Sequence, residues 1–170
     1  MKPRFIRITA LILCSLILGA GCSRRPKITE LQRKEAAHLS AEADFALNLR
    51  DWACAEGLLA KAVQLCPDNG ARWINLGVVR VKLGQKPGAK VAYQGALDAY
   101  QAEGAADPKN VEPWLKQIYV LALLGRVDEA RKLLDRATKQ FPESRNVRAF
   151  VEGKQLERMM ADPMFKQSAL

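Results

Sequence analysis

Apolar residues recur at helical spacing through most of the chain, and turn formers interrupt them at regular intervals. From Gly70 onward, Trp73, Leu76 and Gly77 mark a first helix, Gly84 ends it, and Ala89, Tyr93 and Ala96 mark a second. The same order returns from Val111, with Trp114, a turn at Gly125, then Ala130, Leu134 and Ala137. An earlier stretch from Ala36 carries Leu39 and Ala43, then Trp52, Ala55, Leu59 and Ala62. Pro67, Pro108 and Pro142 cannot continue a helix, so each closes its unit. The pattern predicts an all-α chain of three helix-turn-helix units, 36–69, 70–110 and 111–144. Beyond them, Val147, Phe150 and Val151 share one helical face, which predicts a capping helix over 145–162 and a short tail over 163–170.

These landmarks resemble the tetratricopeptide repeat, a helix-turn-helix unit of about 34 residues. The resemblance implies an α-solenoid of about three such units. Small residues such as Gly77, Ala89 and Ala130 let the helices of a unit approach, and Trp73, Tyr93 and Trp114 fill the space between units. The second unit exceeds the repeat length by about seven residues between Ala96 and Pro108. Those residues, 97–107, either extend the second helix by two turns or form a loop after Gly104. Arg80 stands where the repeat usually has a packing tyrosine, so its guanidinium must reach solvent or an acid.

The resemblance also implies a concave face, lined by the first helices, that holds a protein or peptide partner. The matching groove positions include Asn48, Ile74, Val78, Val81, Lys82, Leu115, Tyr119 and Leu123. Most are apolar, which suits a hydrophobic segment of a partner better than a charged tail. The competing expectation is that the C-terminal helix, with Phe150, Val151 and Met159, folds back and fills the groove itself.

The N-terminus carries a different pattern. A basic stretch, Met1 to Arg7, precedes an uncharged apolar run from Ile8 to Ala20. At roughly 13 residues this run suits the core of a signal peptide and falls short of the ~20 needed to span a bilayer. The following Leu18-Gly19-Ala20-Gly21-Cys22 resembles the lipobox of bacterial lipoproteins. That resemblance implies a signal peptide over 1–21, acylation of Cys22 with palmitate-type chains, and a tether over 22–35 that runs into the first helix. Several acyl chains hold a protein stably where one would not. Ser23, in place of an aspartate that would resemble an inner-membrane retention signal, favours the outer membrane. The expected location is the bacterial cell envelope, facing the periplasm.

Charge and candidate chemistry narrow the function. The formal net charge is +9, and Lys2, Arg4 and Arg7 lie in the leader, which leaves +6 after its removal. That excess is dispersed, without the basic face or stacking aromatics of a nucleic-acid binder. Its one cluster, Arg24, Arg25 and Lys27, lies where anionic headgroups would be met. Cys14 falls in the leader, and Cys54 and Cys66 on one helix would stand about 18 Å apart, too far for a disulfide. Both are read as buried small hydrophobes, Cys54 above all.

His38 is the sole histidine, and no HExxH, GxSxG, Walker-type or GxGxxG arrangement is present. No catalytic residue, metal site or cofactor is therefore expected. The sequence reads as a membrane-anchored interaction scaffold or assembly factor. An accessory subunit or enzyme with a cryptic site, and a self-associating repeat protein, remain the alternatives.

Overall fold

The computed structural model describes residues 27–170, so the expected leader over 1–21, Cys22 and the start of the tether lie outside the described residues. The described residues form helices joined by short turns, with no strand among them. The first pair is α1 (Glu30–Asn48) and α2 (Trp52–Leu65), and the second is α3 (Gly70–Lys82) and α4 (Lys86–Ala106). The third is α5 (Glu112–Leu123) and α6 (Val127–Gln140), followed by α7 (Arg145–Glu152), α8 (Gln155–Ala161) and α9 (Pro163–Lys166). The predicted all-α fold is the fold observed.

Local chemistry sets where the helices begin. At Thr29 the hydroxyl accepts from the Gln32 N–H while the Gln32 side chain accepts from the Thr29 N–H, a reciprocal cap on α1. Asp51 and Asn69 cap α2 and α3 by accepting from the N–H groups of Cys54 and Arg72, each at 3.0 Å.

The ends of the first helices are more informative. Arg50, Gly84 and Gly125 all adopt left-handed backbone, with φ of 59°, 73° and 70°. In each case the following N–H reaches back into the helix: Asp51 to Ala46 O, Gln85 to Arg80 O and Arg126 to Leu121 O, at 2.8–2.9 Å. One turn geometry thus closes α1, α3 and α5. At the first turn arginine takes the place of glycine, at a cost of about 1 kcal/mol.

Gly84 follows Arg50 by 34 residues and Gly125 follows Gly84 by 41, so the turns register both the repeat and its insertion. The insertion is helical. α4 runs for 21 residues against 14 in α2 and 14 in α6. Two extra turns keep the buried face in phase: Leu97 and Tyr100 continue the stripe of Ala89, Tyr93 and Ala96 into the core. Helix therefore prevails over loop across 97–106, and Asp107 ends it.

Each helix packs chiefly on its neighbours in sequence, from α1 on α2 through to α5 on α6, which is the arrangement of a solenoid. The core is correspondingly split. One cluster joins α1, α2 and α3 through Ala43, Ala55, Leu59 and Leu76. A larger one joins α4, α5 and α6 and reaches the C-terminal helices through Leu156 and Phe165. Gly77 is buried against Tyr93, with no room for even a Cβ beside the ring.

The two ends of the array differ. Among the described residues, Phe45 and Leu49 at the N-terminal end are 66% and 65% exposed beside Cys54 and Leu58, an apolar face. The opposite end carries α7 to α9. The single capping helix expected over 145–162 is instead broken into α7 and α8, because Gly153 and the left-handed Lys154 (φ 47°) interrupt it. The expected tail over 163–170 is also structured. Asp162 accepts from the N–H of Met164 at 2.7 Å, and Pro163 supplies the fixed first-turn φ that starts α9.

Candidate interaction groove

The groove is built by the inward faces of α3 and α5. Ile74, Val78 and Val81 on α3, with Leu115 and Tyr119 on α5, are half-buried and pack against the larger core cluster. Leu123 is fully buried, while Lys82 is exposed at the end of α3. Asn48 is exposed at the C-terminal end of α1 and takes no part in this assembly. Five of the eight groove positions that the resemblance implied thus share one apolar surface, with Leu123 beneath it in the core and Lys82 at its edge.

That surface is already covered. Residues 163–170 fold back across it as a strap. Phe165, only 8% exposed, meets the Tyr119 ring edge to face, with centroids 5.6 Å apart and planes at 72°. The Tyr93 hydroxyl donates to the Ser168 carbonyl, and the Leu170 N–H donates to the Leu123 carbonyl at 2.9 Å. Lys82 Nζ donates to Gln167 Oε1 at 3.1 Å.

The face is filled from within the chain, but by Phe165 of the expected tail and not by the expected helix with Phe150, Val151 and Met159. Val151 is 43% exposed, and Phe150 and Met159 are half-buried beside the plug that Phe165 provides. Tyr93, expected between units, packs instead on Gly77 within its own unit, and Phe165, expected in a tail, is the plug. The available signal was Asp162-Pro163, a helix start as well as a helix stop.

Elsewhere on the array, Arg80 finds the acid its position demands. Its guanidinium contacts Glu56 Oε1 at 2.8 Å and donates to the Gly88 carbonyl at 3.2 Å, with both charged side chains largely covered. Cys66 is fully buried, but Cys54 is exposed, contrary to expectation. The buried stripe of α2 is Ala55, Leu59, Ala62 and Val63, and Cys54 lies one position off it. His38 is exposed, with Nδ1 3.5 Å from Glu42.

Burial raises the phenols of Tyr93, Tyr100 and Tyr119 above the usual tyrosine range, with Tyr119 adding to the effect on Tyr93 and Glu103 to that on Tyr100. The native state keeps its phenolic protons where the unfolded chain has lost them. Below about pH 10 both states are protonated and these groups impose no pH dependence. Above it the unfolded state binds fewer protons, so stability falls as pH rises, by up to ~1.4 kcal/mol per unit for each tyrosine. Tyrosinate absorbance is expected to appear together with the loss of helical circular dichroism. Full tyrosine titration near pH 10 with the helices intact would contradict it.

Among curated proteins, none matches the chain. The TPR domain of Arabidopsis OM64 is a solved structure to which it is 19% identical, covering 75% of this chain and 98% of that one, with a TM-score of 0.42. The family described as tetratricopeptide repeat matches residues 92–152, from the middle of α4 to the end of α7. The segment that carries the groove's α5 wall is thus similar to a tetratricopeptide repeat, within an all-α solenoid.

Proposed function

We propose that this chain is a lipid-anchored scaffold or assembly factor of the bacterial cell envelope, facing the periplasm, which works by binding and not by catalysis. The observation that carries the reading is an apolar face whose side chains and carbonyls hold a short segment of the chain. Tyr119 offers a ring edge to an aromatic residue, and Tyr93 and Leu123 offer one donor and one acceptor to main chain. A protein partner with a hydrophobic segment fits such a surface. The repeat similarity over residues 92–152 supports protein binding as the mode of action.

Anchoring rests on the residues from Ile8 to Cys22. A lipid there places the first helix close to the membrane, since only seven residues separate Cys22 from Glu30. The outer membrane is the favoured site because Ser23 follows the cysteine.

The test is crosslinking of the tagged full chain in cells, with Cys22→Ser in parallel. The wild-type chain is expected to label with fatty acid, fractionate with membranes and capture the same envelope protein in every replicate. Cys22→Ser should lose both label and membrane retention. Unchanged fractionation would sink the anchor, and no reproducible envelope partner would sink the scaffold.

A further inference from the structure

We propose that residues 163–170 are a built-in competitor, displaced from the groove by a partner segment of the same chemistry. The proposal rests on the reading of the apolar face as the partner surface, and it names what that surface selects. Two of the strap's anchoring contacts are to main chain: the Ser168 carbonyl accepts from Tyr93, and the Leu170 N–H donates to Leu123. Any segment of suitable shape can make them.

The Leu123 contact also answers a need of the helix. The turn after α5 consumes the carbonyls of Val120, Leu121 and Ala122, and the strap provides the donor for the next one. Discrimination falls on Phe165, the one strap side chain that is buried. Its ring is presented by a single helical turn, pre-formed by the Asp162 carboxylate, which accepts from the N–H of Met164 and of Phe165. The partner segment is therefore an aromatic residue on one helical turn that runs on into a further turn, with a carbonyl three residues on and an N–H five residues on. Lys82, bound to Gln167 Oε1, adds a preference for an acceptor side chain between them.

The experiment uses the full chain and a fluorescent peptide of residues 162–170, DPMFKQSAL, which keeps the capping carboxylate, with anisotropy as the readout. Phe165→Ala in the protein loosens the strap and leaves the groove walls intact. Asp162→Ala does so independently by removing the cap of α9. Both variants, their helicity checked by circular dichroism, are expected to bind the peptide at least tenfold more tightly than the wild type. Adding Tyr119→Ala, or replacing phenylalanine with alanine in the peptide, should remove that binding.

Equal affinity of wild type and strap variants would overturn the competitor, because the strap would then not guard the site. No binding by any folded chain would overturn it too, leaving the strap a fixed structural cap. The scaffold reading fails separately. A partner crosslinked equally to wild type and Phe165→Ala retains the scaffold and discards the competitor, and no partner with either chain discards both.

Discussion

Alanine in place of Gly77 is expected to destabilise the chain by about 3 kcal/mol, lowering the thermal midpoint by roughly 8 °C. Intrinsic preference points the other way, because glycine inside a helix costs about 1 kcal/mol relative to alanine. Contact decides the sign. A Cβ at Gly77 would run into the Tyr93 ring, which is fully buried and held at its far end by the hydrogen bond to Ser168. The ring has nowhere to retreat, so α3 must move away from α4 and give up contact along both helices. Thermal unfolding followed by circular dichroism measures the loss. A neutral or stabilising outcome would show that the helices are looser than the structure places them.

Tyr93→Ala should cost more, about 4 kcal/mol, because it empties the space of one of the largest fully buried side chains. It also removes the donor to Ser168, so the strap loses one of its few fixed contacts. Denaturant titration gives the magnitude.

The pair yields a sharper result than either change alone. Once the ring is gone, alanine at Gly77 meets nothing, and its helix preference is left to act. In the Tyr93→Ala background, Gly77→Ala should therefore stabilise by up to about 1 kcal/mol. Simple additivity of the two losses would mean that the glycine and the ring do not share that space.

Much of this fold can be read from the chain because its punctuation is chemical. Gly84, Gly125 and the prolines at 67, 108 and 142 stop helices for reasons that need no tertiary context. The first turn carries no such glycine, since Arg50 adopts the left-handed backbone in its place. The stretch from 97 to 107 was ambiguous because Gly104 weakens a helix without forbidding it. Packing of Leu97 and Tyr100 against the core settled it.

The groove walls on α3 and α5 follow from the resemblance to the repeat, but what lies between them does not. A strap of eight residues with one buried side chain is too short to show a period, and its partners Tyr93 and Tyr119 lie far from it in sequence. Likewise nothing local to Arg80 points to Glu56, 24 residues earlier on another helix. Cys54 stands a single helical position off the buried stripe of α2, which is enough to turn a side chain from core to solvent.

The unequal ends of the array bear on assembly size. Open-ended stacking of solenoids into filaments requires that each molecule offer two complementary raw faces, head to tail. Here the apolar face with Phe45 and Leu49 lies at the N-terminal end, whereas α7 to α9 occupy the other. Joining two raw faces about a twofold axis exhausts them both. A twofold association through that face closes at a pair and leaves no copy of it to extend a fibre.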